Sequence, residues 1–198
     1  MILIMPVLSL CSCTQLLYSV YGIKQMESLT EYDIIKLTKK YNIPTNDSYA
    51  LNKNFLKLLK QIEDSLNTEN IKNHYQPLQA IYYDQNRNMC SYYVNCYAGG
   101  FPNLKWNRKH SLEFFPPTTQ APIDSIISLD QFIQYFQILD PSQQAPTIES
   151  EYIILVFWSR FMGRQSKRFI RLIQHNASLG RNHKIKIIYV NNDNMFLE

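Results

Sequence analysis

The chain has 198 residues, of which 45% are hydrophobic and 18% charged, so it is neither a disordered polyelectrolyte nor a polytopic membrane protein. Its formal net charge of +4 is too small to indicate nucleic-acid binding, and we expect no nucleic-acid partner. The composition therefore predicts a small globular protein with one domain and a tail, or with two very small domains.

The N-terminal segment is apolar and leads directly into two cysteines. Residues 1–10 read MILIMPVLSL, and Cys11, Ser12 and Cys13 follow. Ten residues are too few to cross a bilayer, but they suit the apolar core of a signal peptide. The stretch Leu10-Cys11-Ser12-Cys13 resembles the bacterial lipobox, in which an apolar residue lies three places before a lipidated cysteine and a small residue directly precedes it.

This resemblance implies that residues 1–13 are a signal peptide with a lipobox and that Cys13 carries the lipid. Cys11 fits less well, because bulky Leu10 would then adjoin the cleavage point. We expect a protein of the bacterial cell envelope, lipid-anchored to a membrane and either periplasmic or surface-exposed. No Lys or Arg precedes the apolar run, which departs from the pattern. Two alternatives stay open: an uncleaved anchor that continues through residues 16–20, and a buried N-terminal element.

Residues 14–77 are predicted to form a helical region. Ser28 and Glu31 have the spacing of a capping box, which predicts a helix that ends before Pro44. Asn46, Asp47 and Ser48 provide a second start signal, and we expect a helix over residues 48–66. Its apolar stripe follows the helical period and consists of Leu51, Phe55, Leu58, Leu59, Ile62 and Leu66.

Residues 78–198 are predicted to form a mixed α/β region. Two β-prone runs, 78–84 and 89–97, flank an Asn-rich turn and predict a hairpin. A short extended piece is expected within 104–115, and a helix over 129–139. The apolar run 152–158 is typical of a strand covered on both faces. A helix over 163–176 and a strand over 185–190 complete a right-handed βαβ unit.

The turn inside this βαβ unit resembles the active-site turn of thioredoxin-like proteins, especially the membrane-tethered bacterial ones. The residues that carry the resemblance read FWSRFMGRQSK, from Phe157 to Lys167. In the family a Phe-Trp strand end leads into an aromatic residue, Cys-Gly-Pro-Cys and a basic helix. In this chain Phe161 takes the aromatic position, Gly163 matches the glycine, Arg164 replaces the proline, and Met162 and Gln165 stand at the two cysteine positions. The segment Tyr189-Val-Asn-Asn-Asp193 resembles the next family strand and its Asp-containing end.

The resemblance implies a fold of the α/β class, with a helical N-terminal part followed by a thioredoxin-like three-layer unit over 78–198. The family fold has a hairpin and a further helix after its second strand, yet only residues 191–198 remain here. The unit is therefore permuted, with the hairpin at 79–97 and the helix at 129–139 supplying these parts, or it is incomplete, or it belongs to a different three-layer α/β arrangement. A hairpin in the same sheet as strand 152–158 would favour the permuted alternative.

The same turn predicts a loss of redox chemistry. Thiol–disulfide exchange needs a thiolate nucleophile and a second, resolving thiol. Met162 has no ionisable proton and Gln165 forms no disulfide, so this turn cannot perform that exchange. We therefore expect a non-catalytic envelope lipoprotein that acts by binding or assembly with an envelope protein partner. No cofactor and no metal are expected, since the four histidines lack metal-ligand spacing.

An alternative function is binding of anions or of a membrane surface. Residues 152–192 contain eight Lys or Arg residues and no Asp or Glu. The residues of the predicted basic face are Arg160, Arg164, Lys167, Arg168 and Arg171. A helix face of this charge favours phosphate or carboxylate ligands, although a solvated helix face has the same pattern.

A third alternative is a cysteine-dependent enzyme that uses Cys90 or Cys96 as nucleophile and His110 as base. No family signature surrounds either cysteine. Their six-residue spacing places them roughly 20 Å apart along a straight strand, which is too far for a disulfide. We therefore expect two unbridged, buried thiols.

Overall fold

Helices cover both faces of one mixed β-sheet. The computed structural model describes residues 22–66, 69–96, 106–146 and 148–197. The predicted signal peptide and the predicted lipobox with Cys13 lie outside these residues. The helices of the described part are α1 (Glu31–Tyr41), α2 (Asn54–Leu66), α3 (Ile71–His74), α4 (Leu129–Gln134) and α5 (Arg164–Leu179). Its strands are β1 (Ser48–Leu51), β2 (Gln79–Tyr83), β3 (Met89–Val94), β4 (Phe136–Ile138), β5 (Tyr152–Trp158) and β6 (Ile185–Asn191).

The strands are arranged in the order β3-β2-β5-β6-β1-β4. The three central strands β5, β6 and β1 are parallel. β2 pairs antiparallel with β5 on one side, and β3 pairs antiparallel with β2. On the other side β4 pairs antiparallel with β1. The fold is therefore of the α/β class, with mixed strand directions and three layers.

The two faces of the sheet bury separate cores. The alternating residues of β5 divide between them: Ile154, Val156 and Trp158 face one core, while Ile153, Leu155 and Phe157 face the other. Helices α1 and α5 pack on the first face through residues such as Ile34 and Phe169. Helices α2, α3 and α4 cover the second face. Burial on both sides explains why the apolar run of β5 is continuous.

The predicted hairpin and βαβ unit are confirmed. β2 and β3 form an antiparallel hairpin, and β5, α5 and β6 form a parallel βαβ unit. The helix runs three residues past the predicted end at 176, since Gly180 follows its last residue, Leu179. The hairpin also pairs with β5 in register from Gln79 to Tyr83, so both lie in one sheet.

The predicted capping box of the first helix was assigned to the wrong residues. The capping box of α1 is formed by Thr30 and Asp33 rather than by Ser28 and Glu31. The Thr30 side chain accepts a hydrogen bond from the backbone N–H of Asp33, whose carboxylate accepts one from the Thr30 N–H. The box is displaced because Leu29 is buried and fixes where the helix enters the core.

The helix predicted over 48–66 begins only at Asn54. Residues 48–51 form strand β1, because their backbone pairs with β6 in a parallel ladder and all four side chains are buried. Phe55 and Leu59 of the apolar stripe are buried in α2, whereas Leu66 is 56% exposed. Residues 14–77 therefore contribute a strand as well as helices to the same sheet-based core.

Two further expectations in the middle of the chain are wrong. Among the described residues of 104–115 no strand forms, because Trp106 is buried against Phe169 at 4.2 Å between ring centroids and the following residues form tight turns. The helix expected over 129–139 ends at Gln134, and residues 136–138 extend as β4 to pair with β1. Its predicted start is confirmed, since Ser128 forms a capping box with Gln131.

Candidate functional site at the turn between β5 and α5

The turn that joins β5 to α5 is closed by its own backbone and by two serines. The N–H of Gly163 donates to the carbonyl of Arg160 at 3.0 Å, and that of Gln165 donates to the carbonyl of Met162 at 3.0 Å. The Ser166 hydroxyl donates to the carbonyl of Ser159 at 2.5 Å. Both serines are fully buried. The turn is thereby held to the end of β5 and to the first turn of α5.

Asp193 holds the turn from the end of β6. Its carboxylate accepts hydrogen bonds from the backbone N–H of Arg160 at 2.6 Å and of Phe161 at 3.2 Å. A third hydrogen bond comes from the Asn191 side-chain amide at 2.7 Å. Asp193 is only 2% exposed. The carboxylate therefore accepts its hydrogen bonds from within the protein and holds residues 160–161 in place.

Burial raises the pKa of the Asp193 carboxyl above its ordinary value, because desolvation penalises the charged form. The donors from Arg160, Asn191 and Phe161 oppose this effect, as does the positive charge of Arg160. The effect of burial is the larger one and outweighs the hydrogen bonds, so the pKa of the Asp193 carboxyl stays raised. Asp193 therefore serves chiefly to position the turn.

Residues 22–27, which we call the strap, cross the turn from the N-terminal side. The N–H of Lys24 donates to the carbonyl of Phe161 at 2.7 Å. The Arg160 guanidinium contacts the Glu27 carboxylate at 2.8 Å and donates to the carbonyl of Gln25 at 3.0 Å. Arg160 is thus engaged by the strap, which separates it from the remaining residues of the predicted basic face.

Gly163 is required where the strap meets the turn. Its backbone φ is +52°, a conformation that residues other than glycine rarely adopt. A Cβ atom here would lie 1.8 Å from the carbonyl oxygen of Gly22, which is far inside van der Waals contact. The glycine shared with the family pattern therefore also permits the close approach of the strap.

Gly163→Ala is expected to cost about 1–3 kcal/mol of unfolding free energy, because it adds backbone strain and displaces the strap. Chemical denaturation measures the cost, and tryptic cleavage after Lys24 should become faster. Glu27→Gln is the control, since it removes only the ion pair with Arg160 and should cost less than about 1 kcal/mol. Unchanged stability and cleavage of the Gly163→Ala protein would show that the strap does not pack on the turn.

Neither Met162 nor Gln165 has a side chain that can form a thiolate. Met162 is partly buried against the core of the first face. The side-chain oxygen Oε1 of Gln165 is buried and has no hydrogen-bond partner among the described residues. The turn therefore supplies no nucleophile at these two positions.

An open cleft of about 470 Å³ lies along the basic side of α5. Its lining contains no acidic residue and consists of Arg164, Gln165, Lys167, Arg168, Arg171 and Leu172. Arg168 and Arg171 are exposed, and Lys167 is half-buried. Four of the five residues of the predicted basic face thus line one surface, whereas Arg160 is held by Glu27.

The cysteine alternative gains no support from the geometry. Cys90 and Cys96 form no disulfide, as expected, but both are only half-buried rather than buried. The Cys90 thiol donates to the carbonyl of Tyr82 at 3.4 Å, and burial raises its pKa to about 11. His110 is exposed and bonds to Glu113 at 2.5 Å. Within the described residues no hydrogen bond joins His110 to either cysteine.

A second polar cluster is buried on the opposite face of the sheet. The His74 ring lies 3.1 Å from the Asp124 carboxylate, and the Tyr92 hydroxyl donates to the Gln79 side chain at 2.8 Å. The His74 side chain is 0% exposed and that of Asp124 only 6%. A substrate cannot reach this histidine, so the pair serves to satisfy buried polar groups.

Comparison with protein-family models, with curated proteins and with solved structures found no match to the chain. In the described part of the chain, no helix is both long and apolar enough to cross a membrane. The same residues contain no group of three His, Cys, Asp or Glu side chains arranged to hold a metal ion. The function therefore has to be argued from the turn, the strap and the charges around them.

Proposed function

We propose that this protein is a non-catalytic, thioredoxin-like lipoprotein of the bacterial cell envelope, which is anchored to a membrane through Cys13 and acts by binding. The observation that carries the proposal is the turn between β5 and α5. It has the family's aromatic residue and glycine at Phe161 and Gly163, but Met162 and Gln165 at the two cysteine positions. A turn without thiols retains a shape for binding and lacks the chemistry of exchange.

The arrangement of the sheet supports the permuted form of the thioredoxin-like unit. The family fold requires a hairpin in the same sheet as the βαβ unit, and the hairpin β2–β3 lies beside β5 in antiparallel pairing. Helix α4 packs on the face opposite α5, with the rings of Phe132 and Phe157 at 5.4 Å. The hairpin, which precedes the βαβ unit in the chain, thus supports the permuted form, whereas α4 lies on the other face from α5 and adds no support.

The packing of the turn supports a binding role rather than an exchange reaction. Asp193 and the strap hold residues 160–163 from two sides, so the turn is preorganised. Preorganisation favours tight binding because little conformational entropy is lost when a partner docks. The partner in this proposal is an envelope protein, and the lipid at Cys13 concentrates this chain at the same membrane.

The lipid anchor is tested by metabolic labelling with a fatty acid in a bacterial host. We expect label on the wild-type protein and on a Cys11→Ala variant, and none on a Cys13→Ala variant, because the lipobox spacing selects Cys13. The two variants differ from each other only in which cysteine of the motif is lost. Equal labelling of the Cys13→Ala protein would contradict the assignment. Label that depends on Cys11 instead would place the cleavage point between Leu10 and Cys11.

A further inference from the structure

The strap brings the N-terminal segment of the chain to the basic end of α5. The carbonyl of Gly22 lies against Gly163, and the Arg164 side chain lies against Gly22. Arg164 is the first residue of α5 and lines the same basic cleft as Lys167, Arg168 and Arg171. An anchor at the N-terminus would therefore hold the protein from the side on which this basic surface of α5 lies.

The length of chain between Cys13 and Gly22 limits how far this face can lie from a membrane. A chain spans at most about 3.3–3.6 Å per residue, so nine residues reach no more than about 32 Å. Helix α5 has 16 residues and is therefore about 24 Å long. A lipid on Cys13 thus keeps the N-terminal end of α5 within roughly one helix length of the bilayer surface.

The charges on this face match an anionic surface. Helix α5 contains no Asp or Glu. Within the described residues, none of Lys167, Arg168 and Arg171 forms an ion pair with another side chain. Helix α2, on the opposite face of the sheet, carries both lysines and acidic residues. Helix α5 therefore presents several positive charges, with no acidic residue of its own, on the side from which the anchor leads.

We propose that the basic face of α5 lies on an anionic phospholipid bilayer and that Lys167, Arg168 and Arg171 bind the head-group phosphates. The proposal rests on the lipid anchor of the proposed function, which places a membrane next to this face. Arginine side chains bind phosphate oxygens with paired hydrogen bonds, and each basic residue near an anionic membrane adds to the attraction. The anchor supplies attachment, while the basic face determines the orientation of the protein.

The test uses the full chain with a Cys13→Ser change, so that no lipid contributes to binding. Sedimentation with phosphatidylcholine vesicles, with and without phosphatidylglycerol, measures the partition coefficient. We expect binding to the anionic vesicles alone, weakened by added salt. Arg168→Gln with Arg171→Gln should lower the coefficient about 30-fold. Both arginines are exposed, so the fold should be retained.

The matched control removes two positive charges from the other side of the sheet. Lys57→Gln on α2, with Lys53→Gln just before that helix, gives the same net charge and should lower partitioning less than about 3-fold. Equal losses in the two double variants would mean that net charge alone drives binding, which overturns the proposal. Absence of binding to anionic vesicles also overturns the proposal. Complete displacement of the protein from the vesicles by inorganic phosphate at matched ionic strength overturns it too, because it would indicate a site for free phosphate. These failures leave the labelling of Cys13 unaffected and are thereby distinguished from failure of the anchor.

Discussion

Replacing Asp193 with alanine is expected to lower the free energy of unfolding by about 3 kcal/mol or more. The change removes the acceptor of the partly buried backbone N–H of Arg160, and of the buried backbone N–H of Phe161 and side-chain amide of Asn191. Each buried donor that loses its acceptor costs about 1–3 kcal/mol. Chemical denaturation followed by circular dichroism measures the loss. A cost below about 1 kcal/mol would show that Asp193 does not hold the turn.

Asp130→Ala is the control for this variant. Asp130 is exposed and pairs with the exposed Arg87 at 3.1 Å, so its removal should change stability by less than about 1 kcal/mol. Each variant removes one carboxylate together with its polar contacts. The two replaced side chains differ in burial, because Asp193 is buried and Asp130 is exposed. A similar cost in the two proteins would mean that burial of Asp193 contributes nothing.

The cost of Asp193→Ala should also depend on pH. Burial raises the pKa of Asp193 in the folded chain, so the carboxyl contributes fully below its unfolded value of about 3.9. Part of that contribution is lost as the pH rises through the folded pKa, because ionisation is less favourable in the folded state. The difference in unfolding free energy between wild type and variant should therefore be larger near pH 4 than at pH 7. A difference that grows towards pH 7 would show that the hydrogen bonds outweigh burial.

Local sequence patterns were sufficient to predict the hairpin β2–β3 and the βαβ unit. The continuous apolar run of β5 reflects burial on both faces, and the basic and apolar residues of α5 follow the helical period. The hairpin β2–β3 was predicted from β-prone residues around an Asn-rich turn, and its turn is closed by the N–H of Asn88 donating to the Asp84 carboxylate. Each of these elements is specified by neighbours in the chain.

The edge of the sheet opposite the hairpin could not be predicted in this way. Strand β1 has only four residues, and its Leu51 also fits the helical period of the apolar stripe in α2. Strand β4 has three residues and follows α4 almost directly. Both form because β6 and β1 offer unpaired ladder edges, which is a tertiary effect that a short pattern does not contain.

The contacts around the candidate site also join distant parts of the chain. Arg160 and Glu27, which pair across the strap, are 133 residues apart, and the His74–Asp124 pair spans 50 residues. The family pattern drew attention to Asp193 as the end of a strand, but its bonds to the turn follow only from the packing of β6 beside β5. Without related sequences to compare, no pattern in the chain connects these residues.

Placing cysteines at both Met162 and Gln165 should create an intrachain disulfide at a turn that has none. A disulfide requires Cβ atoms about 3.5–4.5 Å apart, and the thioredoxin-like interpretation places these positions at such a distance. The N-terminus of α5 has no side-chain cap, so its positive end can lower the pKa of the first thiol below about 8.5. The variant should therefore gain weak thiol–disulfide exchange activity, whereas the wild type has none at this turn.

Peptide mass spectrometry of the oxidised Met162→Cys, Gln165→Cys protein is the most direct test of the thioredoxin-like turn. Lys57→Cys with Lys60→Cys is the matched control, because the same spacing within a regular helix leaves the Cβ atoms about 5–6 Å apart. The account predicts a bond between positions 162 and 165 that forms readily in mild oxidant and is absent or strained in the control pair. Free thiols at 162 and 165, in a protein whose circular dichroism matches the wild type, would contradict the thioredoxin-like geometry of the turn.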